Sequence, residues 1–174
     1  MSISLIVLAA VLLMMLAELQ LSRHNTRVLR ERGATEPPGD VYRLMQVAYP
    51  AIFVVMAVEG ALTGPSSFPV IGAGLILFGA SKALKFSAII ALGVRWSYRV
   101  LVLRGQPLVQ AGPYRYLRHP NYVAVMGEIV SVALAVHAPV TGPLAVVLFG
   151  WLLWRRIGVE ERALRGPSNA DCGM

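Results

Sequence analysis

The sequence predicts an all-α membrane protein of about five transmembrane helices, with a small polar region at one membrane face. Three observations carry that prediction. Five apolar runs are separated by polar stretches, arginines gather in every second connection, and charged residues make up only 14% of the 174 positions against 56% hydrophobic. Mean hydropathy is +0.63, and soluble domains average about 25% charged residues. The length suits one integral membrane domain over residues 1–174 rather than two.

The first run covers residues 3–21, interrupted only by Glu18 and Gln20. The second covers 44–62 with Glu59 near its end, and the third, 68–94, carries Lys82 and Lys85. The fourth, 121–138, contains Glu128, and the fifth is 140–154. A bilayer core takes about 20 helical residues, so the last two runs are expected as a short helical hairpin turning at Ala138-Pro139. Between the first two runs the chain is helical at first, then breaks at Glu36-Pro37-Pro38-Gly39, and Asp40 is placed to cap the second span. Residues 97–110 read either as a small hairpin turning at Arg104-Gly105-Gln106-Pro107 or as a continuation of the third helix.

Arginine placement sets the topology. Arg23, Arg27, Arg30, Arg32 and Arg43 follow the first run; Arg95, Arg99, Arg104, Arg115 and Arg118 the third; Arg155, Arg156, Arg162 and Arg165 the fifth. The other two cations are Lys82 and Lys85, and the remaining connections have none. Basic residues favour the cytoplasmic side, so the N-terminus is expected outside and the C-terminus in the cytoplasm. Met1-Ser2 lacks the positive n-region of a cleavable signal, and the first run reads as an uncleaved anchor. The net charge of +7 is then mostly topology and gives no support to nucleic-acid binding. Cys172 is the sole cysteine, which excludes an internal disulfide. His24, His119 and His137 are too scattered for a zinc site.

Two segments concentrate the chemistry. Residues 112–122 read GPYRYLRHPNY and residues 155–161 read RRIGVEE. Pro113 and Pro120 force extended backbone before them, splaying the chain. Arg156 and Glu160 share a helix face at i,i+4, with Glu161 beside them. Basic clustering at a helix end is the plain alternative for the first segment alone. The pair together would form a pocket with cations, carboxylates and an imidazole at a membrane edge.

The pair resembles the isoprenylcysteine carboxyl methyltransferase and phospholipid methyltransferase superfamily. Members carry a Gly-x-Tyr…Arg-His-Pro-x-Tyr stretch and, after a helical hairpin, an Arg followed by Glu-Glu. Here these are Gly112, Tyr114, Arg118, His119, Pro120 and Tyr122, then Arg156 and Glu160-Glu161. The likeness covers residues 92–164. It implies a membrane-embedded transferase that uses S-adenosyl-L-methionine, with Tyr114, Arg118, His119, Pro120, Tyr122, Glu160 and Glu161 binding it. Arg118 or Arg115 suits the cofactor carboxylate, Glu160 or Glu161 the ammonium or ribose, and the tyrosines the adenine or sulfonium. Arg156 would orient an anionic acceptor or stabilise charge. The acceptor would be lipophilic and enter from the bilayer: a prenylcysteine-type carboxylate, or a lipid-like phenol or pyrone hydroxyl.

Glu128, about two turns past Pro120, is the candidate proton acceptor, because an ionisable residue inside a span is a functional candidate by default. The alternative is a structural pairing with Lys82 or Lys85. Those lysines read as partners for Glu128 or Glu18, or as snorkelling cations, before they read as catalytic. Glu18 and Glu59 are weaker candidates, as span-end carboxylates that reach water, and His137 is a loop histidine. Gly72-Ala73-Gly74 lacks the strand-turn-helix setting of a dinucleotide fingerprint and reads as close helix packing. Relatives often continue past Leu164 with a tyrosine-containing tail that closes over the site, whereas here Arg165-Gly166-Pro167 begins a short polar tail. NADPH-dependent membrane sterol and enone reductases share the Arg-His-Pro-x-Tyr stretch, but five spans and the Arg…Glu-Glu ending favour methyl transfer. A non-enzymatic membrane scaffold is the third reading.

Overall fold

The computed structural model describes residues 3–103 and 107–165. Five helices follow in order: α1 (Ile3–Glu31), α2 (Tyr42–Thr63), α3 (Phe68–Leu92), α4 (Pro120–Val136) and α5 (Thr141–Arg165). Single 3-10 turns lie at Gly93–Arg95 and Gly112–Arg115. The all-α membrane class holds: α1, α2, α3 and α5 are long and apolar enough to cross a bilayer, while α4 has only 17 residues, about 25 Å. Leu13, Val47, Leu62, Phe68, Ile76, Ile90 and Val147 all point outward, the pattern a hydrocarbon surround requires.

α1 continues past residue 21 to Glu31, in keeping with the helical start expected for the first connection. One length differs from the sequence reading: α5 runs through the arginine-rich segment to Arg165, so the second arm of the terminal hairpin is not short. The reason is local. Arg, Leu and Glu sustain a helix as well as apolar residues do, and the α1 extension still buries Ser22, Asn25 and Leu29. The described residues after α3 form neither paired strands nor a continued α-helix. They run as a 3-10 turn and then irregular chain, with an antiparallel bridge between Thr35 and Val102 at 3.1 and 3.0 Å. The α1 extension holds it down: Ser22 Oγ accepts from the Tyr98 N–H at 2.9 Å, Asn25 Nδ2 donates to the Trp96 carbonyl at 2.8 Å, and Thr26 meets Ser97 at 2.8 Å. The turn expected at Arg104-Gly105-Gln106, and the tail after Arg165, lie outside the described residues.

α4 is the central element. It buries Ala124, Val125, Glu128, Ile129, Ser131, Val132, Ala135 and Val136, and its apolar side meets Phe53, Met56, Phe149 and Val11 in one core. Its contact with α3 is close because Gly74 lacks a side chain: a Cβ there would stand 2.8 Å from Ala135 N and Ser131 O. Gly72, grouped with it in the sequence, faces open space, so one of the two glycines serves packing.

The α4–α5 corner is built by residues that the sequence left as surface groups. His137 adopts φ 60° and ends α4 in the left-handed region, its Nδ1 3.0 Å from the Gly64 carbonyl oxygen. Glu59 does not simply reach water. It accepts from the N–H groups of Val140 and Thr141 at 2.9 and 2.8 Å, and from the Thr141 hydroxyl. A carboxylate from α2 thus caps α5, satisfying free N–H groups at the positive end of a helix.

Candidate functional site

One cavity of about 470 Å³ connects the polar rim to the interior of the bundle. That lies within the usual range for small-molecule sites, about 300–1,000 Å³. Its α5 wall is a single stripe, Phe149, Leu153, Arg156, Glu160 and Leu164, spaced at three and four residues and about 22 Å long. α1 contributes Leu12, Met15, Leu16 and Leu19, and α2 contributes Met45, Gln46, Tyr49 and Pro50. Leu16 and Gln46 are exposed, so this apolar part reaches the outer surface between α1 and α2.

At the rim the two motif segments meet. Pro120 opens α4, where its missing N–H costs nothing. The residues before the two prolines are not extended as expected: His119 has φ −130° and ψ 61°, and Gly112 has a positive φ of 56° that a residue without a side chain adopts at little cost. His119 Nδ1 lies 3.8 Å from Glu160 Oε2, and Nε2 3.4 Å from Glu161 Oε1. Its ring stacks on Tyr122 at 5.5 Å between centroids. The Tyr122 hydroxyl donates to Glu160 Oε2 at 2.6 Å and accepts from Arg156 Nε at 3.0 Å. Arg156 is buried. It also donates to the Tyr98 carbonyl and the Met45 sulfur, and lies 3.8 Å from Asp40. Asp40 in turn accepts from the N–H groups of Tyr42 and Val100. It stands one residue before the N-cap position, Val41, satisfies the first N–H of α2 from there, and also ties down the loop after α3. Arg118 lines the cavity, is exposed, and joins no ion pair or hydrogen bond among the described residues.

Tyr114 also lines the cavity. Burial first, then the negative charge of Glu160, pushes its phenol well above the ordinary tyrosine value. Tyr98 is shifted the same way, by burial and then by Glu18. Both phenols therefore hold their protons more firmly than an ordinary tyrosine.

The structure therefore gathers Tyr114, Arg118, His119, Tyr122, Arg156 and Glu160 around one cavity. Pro120 and Glu161 stand behind it: Pro120 starts the helix and Glu161 contacts the His119 ring. Glu128 takes the pairing given as the alternative to a proton-accepting role. It is fully buried beside Lys82 and Lys85, each Nζ 3.2 Å from its Oε1, and both lysines also reach Glu18 at 2.7 Å. Glu18, expected to reach water, is buried in this cluster. Tyr49 and Tyr98, both on the cavity wall, donate to Glu128 at 2.5 Å and Glu18 at 2.8 Å. Sequence reasoning missed these two tyrosines. Their signal is modest: Tyr49 precedes the proline inside α2, and Tyr98 follows the last turn of α3.

No group of three or more metal-binding side chains occurs among the described residues. A polar rim of arginine, glutamate and stacked aromatics is thus continuous with an apolar chamber inside a helical bundle of the polytopic membrane class. The model of the isoprenylcysteine carboxyl methyltransferase (ICMT) family matches residues 73–166, and the chain belongs to this family of membrane methyltransferases. It is also similar to the "Uncharacterized protein YpbQ" of Bacillus subtilis (strain 168), with 30% identity over 162 residues, covering 92% of this chain and 95% of that protein.

Proposed function

We propose that this protein is an integral membrane methyltransferase that takes its methyl group from S-adenosyl-L-methionine and transfers it to a lipophilic acceptor drawn from the bilayer. The observation that carries the reading is the continuous cavity, with Arg118, unpartnered among the described residues, and Glu160 at its rim and an apolar wall that reaches the outer surface between α1 and α2. When bound, the cofactor would supply an electrophilic methyl on a sulfonium cation. The rim residues fit it by charge and shape. Arg118 is free to fork onto its carboxylate, and Glu160, held by Tyr122, offers acceptors to the ammonium or ribose. Tyr114, His119 and Tyr122 provide aromatic faces to the adenine or the cation. Glu161 and Pro120 act behind this layer, by orienting His119.

Arg156 joins the rim to the rest of the cavity. Tyr122, Tyr98, Met45 and Asp40 are all within its reach, so it fixes the relative position of the two ends. Methyl transfer is an in-line displacement, and alignment of donor with acceptor provides much of the rate. The acceptor's tail would lie against α1 and α2, which also keep water from the reacting atoms. Its reacting group is either a prenylcysteine-type carboxylate or a phenol or pyrone hydroxyl. Positive-inside placement puts the rim in the cytoplasm and the N-terminus outside.

The test is binding in detergent. Calorimetric or thermal-shift titration with S-adenosyl-L-methionine should give saturable binding, and NADPH should give none. Binding of NADPH alone would overturn the reading in favour of a reductase.

A further inference from the structure

Four charges and two phenols meet where four helices and one loop converge. Glu18 comes from α1, Tyr49 from α2, Lys82 and Lys85 from α3, Glu128 from α4 and Tyr98 from the loop after α3. The two carboxylates and two ammonium groups cancel, and all four residues are at most 5% exposed. The cluster is not sealed from the cavity: Tyr49, Tyr98 and Lys85 line it. Each tyrosine spends its proton on a carboxylate, Tyr49 on Glu128 Oε2 and Tyr98 on Glu18 Oε2. A phenol oxygen that donates its own hydrogen still accepts, so towards a ligand these two groups are acceptors. Glu128 Oε1 has no hydrogen-bond partner among the described residues, only the two lysine charges at 3.2 Å.

This arrangement decides between the two acceptor classes left open above, and the inference rests on that reading of the site. A carboxylate arriving at the floor would meet two phenol oxygens whose hydrogens are already committed and a Lys85 ammonium group already paired with Glu18 and Glu128. A hydroxyl would donate to one of them. We infer that Tyr49 is the acceptor-binding group at the cavity floor, that it takes a weakly acidic hydroxyl on an apolar tail, and that it relays the hydroxyl's proton to Glu128. In the step, the acceptor's O–H bond breaks and an O–CH3 bond forms, the carbon coming from a sulfonium donor that leaves as a neutral thioether. The acceptor's proton passes to the Tyr49 oxygen, and the proton Tyr49 held passes to Glu128 Oε2. The positive charge lost at sulfur reappears in the cluster, where Glu18 remains ionised against Lys82 and Lys85. Glu128 acts through Tyr49, as a positioning and proton-holding residue.

The experiment has a readout that needs no turnover. A long-chain nitrophenol is titrated into full-length protein in detergent without cofactor, and the phenolate absorbance of the bound dye is followed against pH. In the wild type the bound phenol should ionise about one pH unit lower than in Tyr49→Phe, a tenfold change in that equilibrium. Tyr98→Phe, which faces the other carboxylate, should shift it less. With cofactor added, Tyr49→Phe should lose at least tenfold in rate on a simple alkylphenol. The loss should be smaller, though still measurable, on the nitrophenol, whose more acidic hydroxyl needs less help in giving up its proton. A merely structural tyrosine would lower both rates alike, and that result, or an unmoved ionisation midpoint, overturns the relay. Methyl transfer to prenylcysteine carboxylates and not to phenols would overturn the acceptor class while leaving the methyltransferase reading intact. Wild-type protein that binds no S-adenosyl-L-methionine would overturn that reading, and the relay with it.

Discussion

The buried cluster makes a stability prediction that can be worked from its geometry. Lys82 Nζ lies 2.7 Å from Glu18 and 3.2 Å from Glu128, and Lys85 Nζ repeats the same two distances. Lys82→Met therefore leaves two buried carboxylates sharing one ammonium group. Removing one partner of a buried pair costs roughly 3–5 kcal/mol, chiefly through the charge left uncompensated. That is a large part of a total stability of about 5–15 kcal/mol. Glu18→Gln should cost a similar amount, because it strands a lysine and weakens the hydrogen bond from Tyr98. The double variant Lys82→Met/Glu18→Gln keeps a neutral Lys85–Glu128 pair, so its loss should fall short of the sum by about 1–3 kcal/mol, the coupling expected of contacting residues. Reversible unfolding of the three variants and the wild type in mixed micelles measures all four corners of the cycle. Single losses below about 1 kcal/mol, or a strictly additive double, would refute a dry, mutually compensated cluster. Either result would mean that water screens these charges in the folded protein.

Three further outcomes follow from the same geometry. Arg118→Ala should weaken S-adenosyl-L-methionine binding at least tenfold, about 1.4 kcal/mol, with little effect on unfolding, since Arg118 is exposed and unpartnered among the described residues; calorimetry and a melting curve check the two halves. Arg156→Ala should do the reverse of a surface change, lowering stability by roughly 2–4 kcal/mol through the hydrogen bonds and buried Asp40 pairing it removes, and the melting temperature in detergent reads it. Gly74→Val should destabilise the α3–α4 contact by at least about 1–3 kcal/mol through overpacking, whereas Gly72→Val, facing open space, should cost well under half of that in the same assay.

What the sequence made legible follows from range. The five helices, their order and the α2–α3 turn depend on apolar runs and local breakers, and these are read directly from neighbouring residues. The rim was legible because its two segments carry unusual residues at fixed spacing: Tyr122, His119, Arg156 and Glu160 do come together. The extension of α1 past its apolar run was legible from the helical residues before the Pro-Pro-Gly break, whereas the length of α5 was not legible from hydropathy, because a helix does not end where the apolar run ends. The path of residues 96–102 depends on Ser22, Asn25 and Thr26, about seventy positions away in sequence, and no local pattern encodes such a contact. The cluster was half legible. Glu18, Lys82, Lys85 and Glu128 each stood out as charges within spans, and pairing among them was expected. That both lysines bridge both carboxylates, with a phenol behind each, depends on which faces of four helices turn inward together.

The position of α4 explains why the two ends of the cavity act as one site. Tyr122 at the rim and Glu128 at the floor lie six residues apart on this helix, about 9 Å along its axis. Glu160 and Arg156 reach Tyr122 from α5, while Tyr49 from α2 and the lysines of α3 reach Glu128. α4 is at the short limit for spanning a bilayer core, and nine of its 17 residues are buried against its neighbours while Val123, Val130 and Leu134 face outward. Its register is therefore set from both ends by charged hydrogen bonds and along its length by close contact with α3 at Gly74. A shift by one residue would rotate Tyr122 off Glu160 and bury Glu128 without its lysines, and each of those losses costs kilocalories. The buried charges thus have a role that bulk stability alone does not require. They hold a helix of marginal length in one register, and so fix how far the floor stands from the rim that would hold the methyl donor.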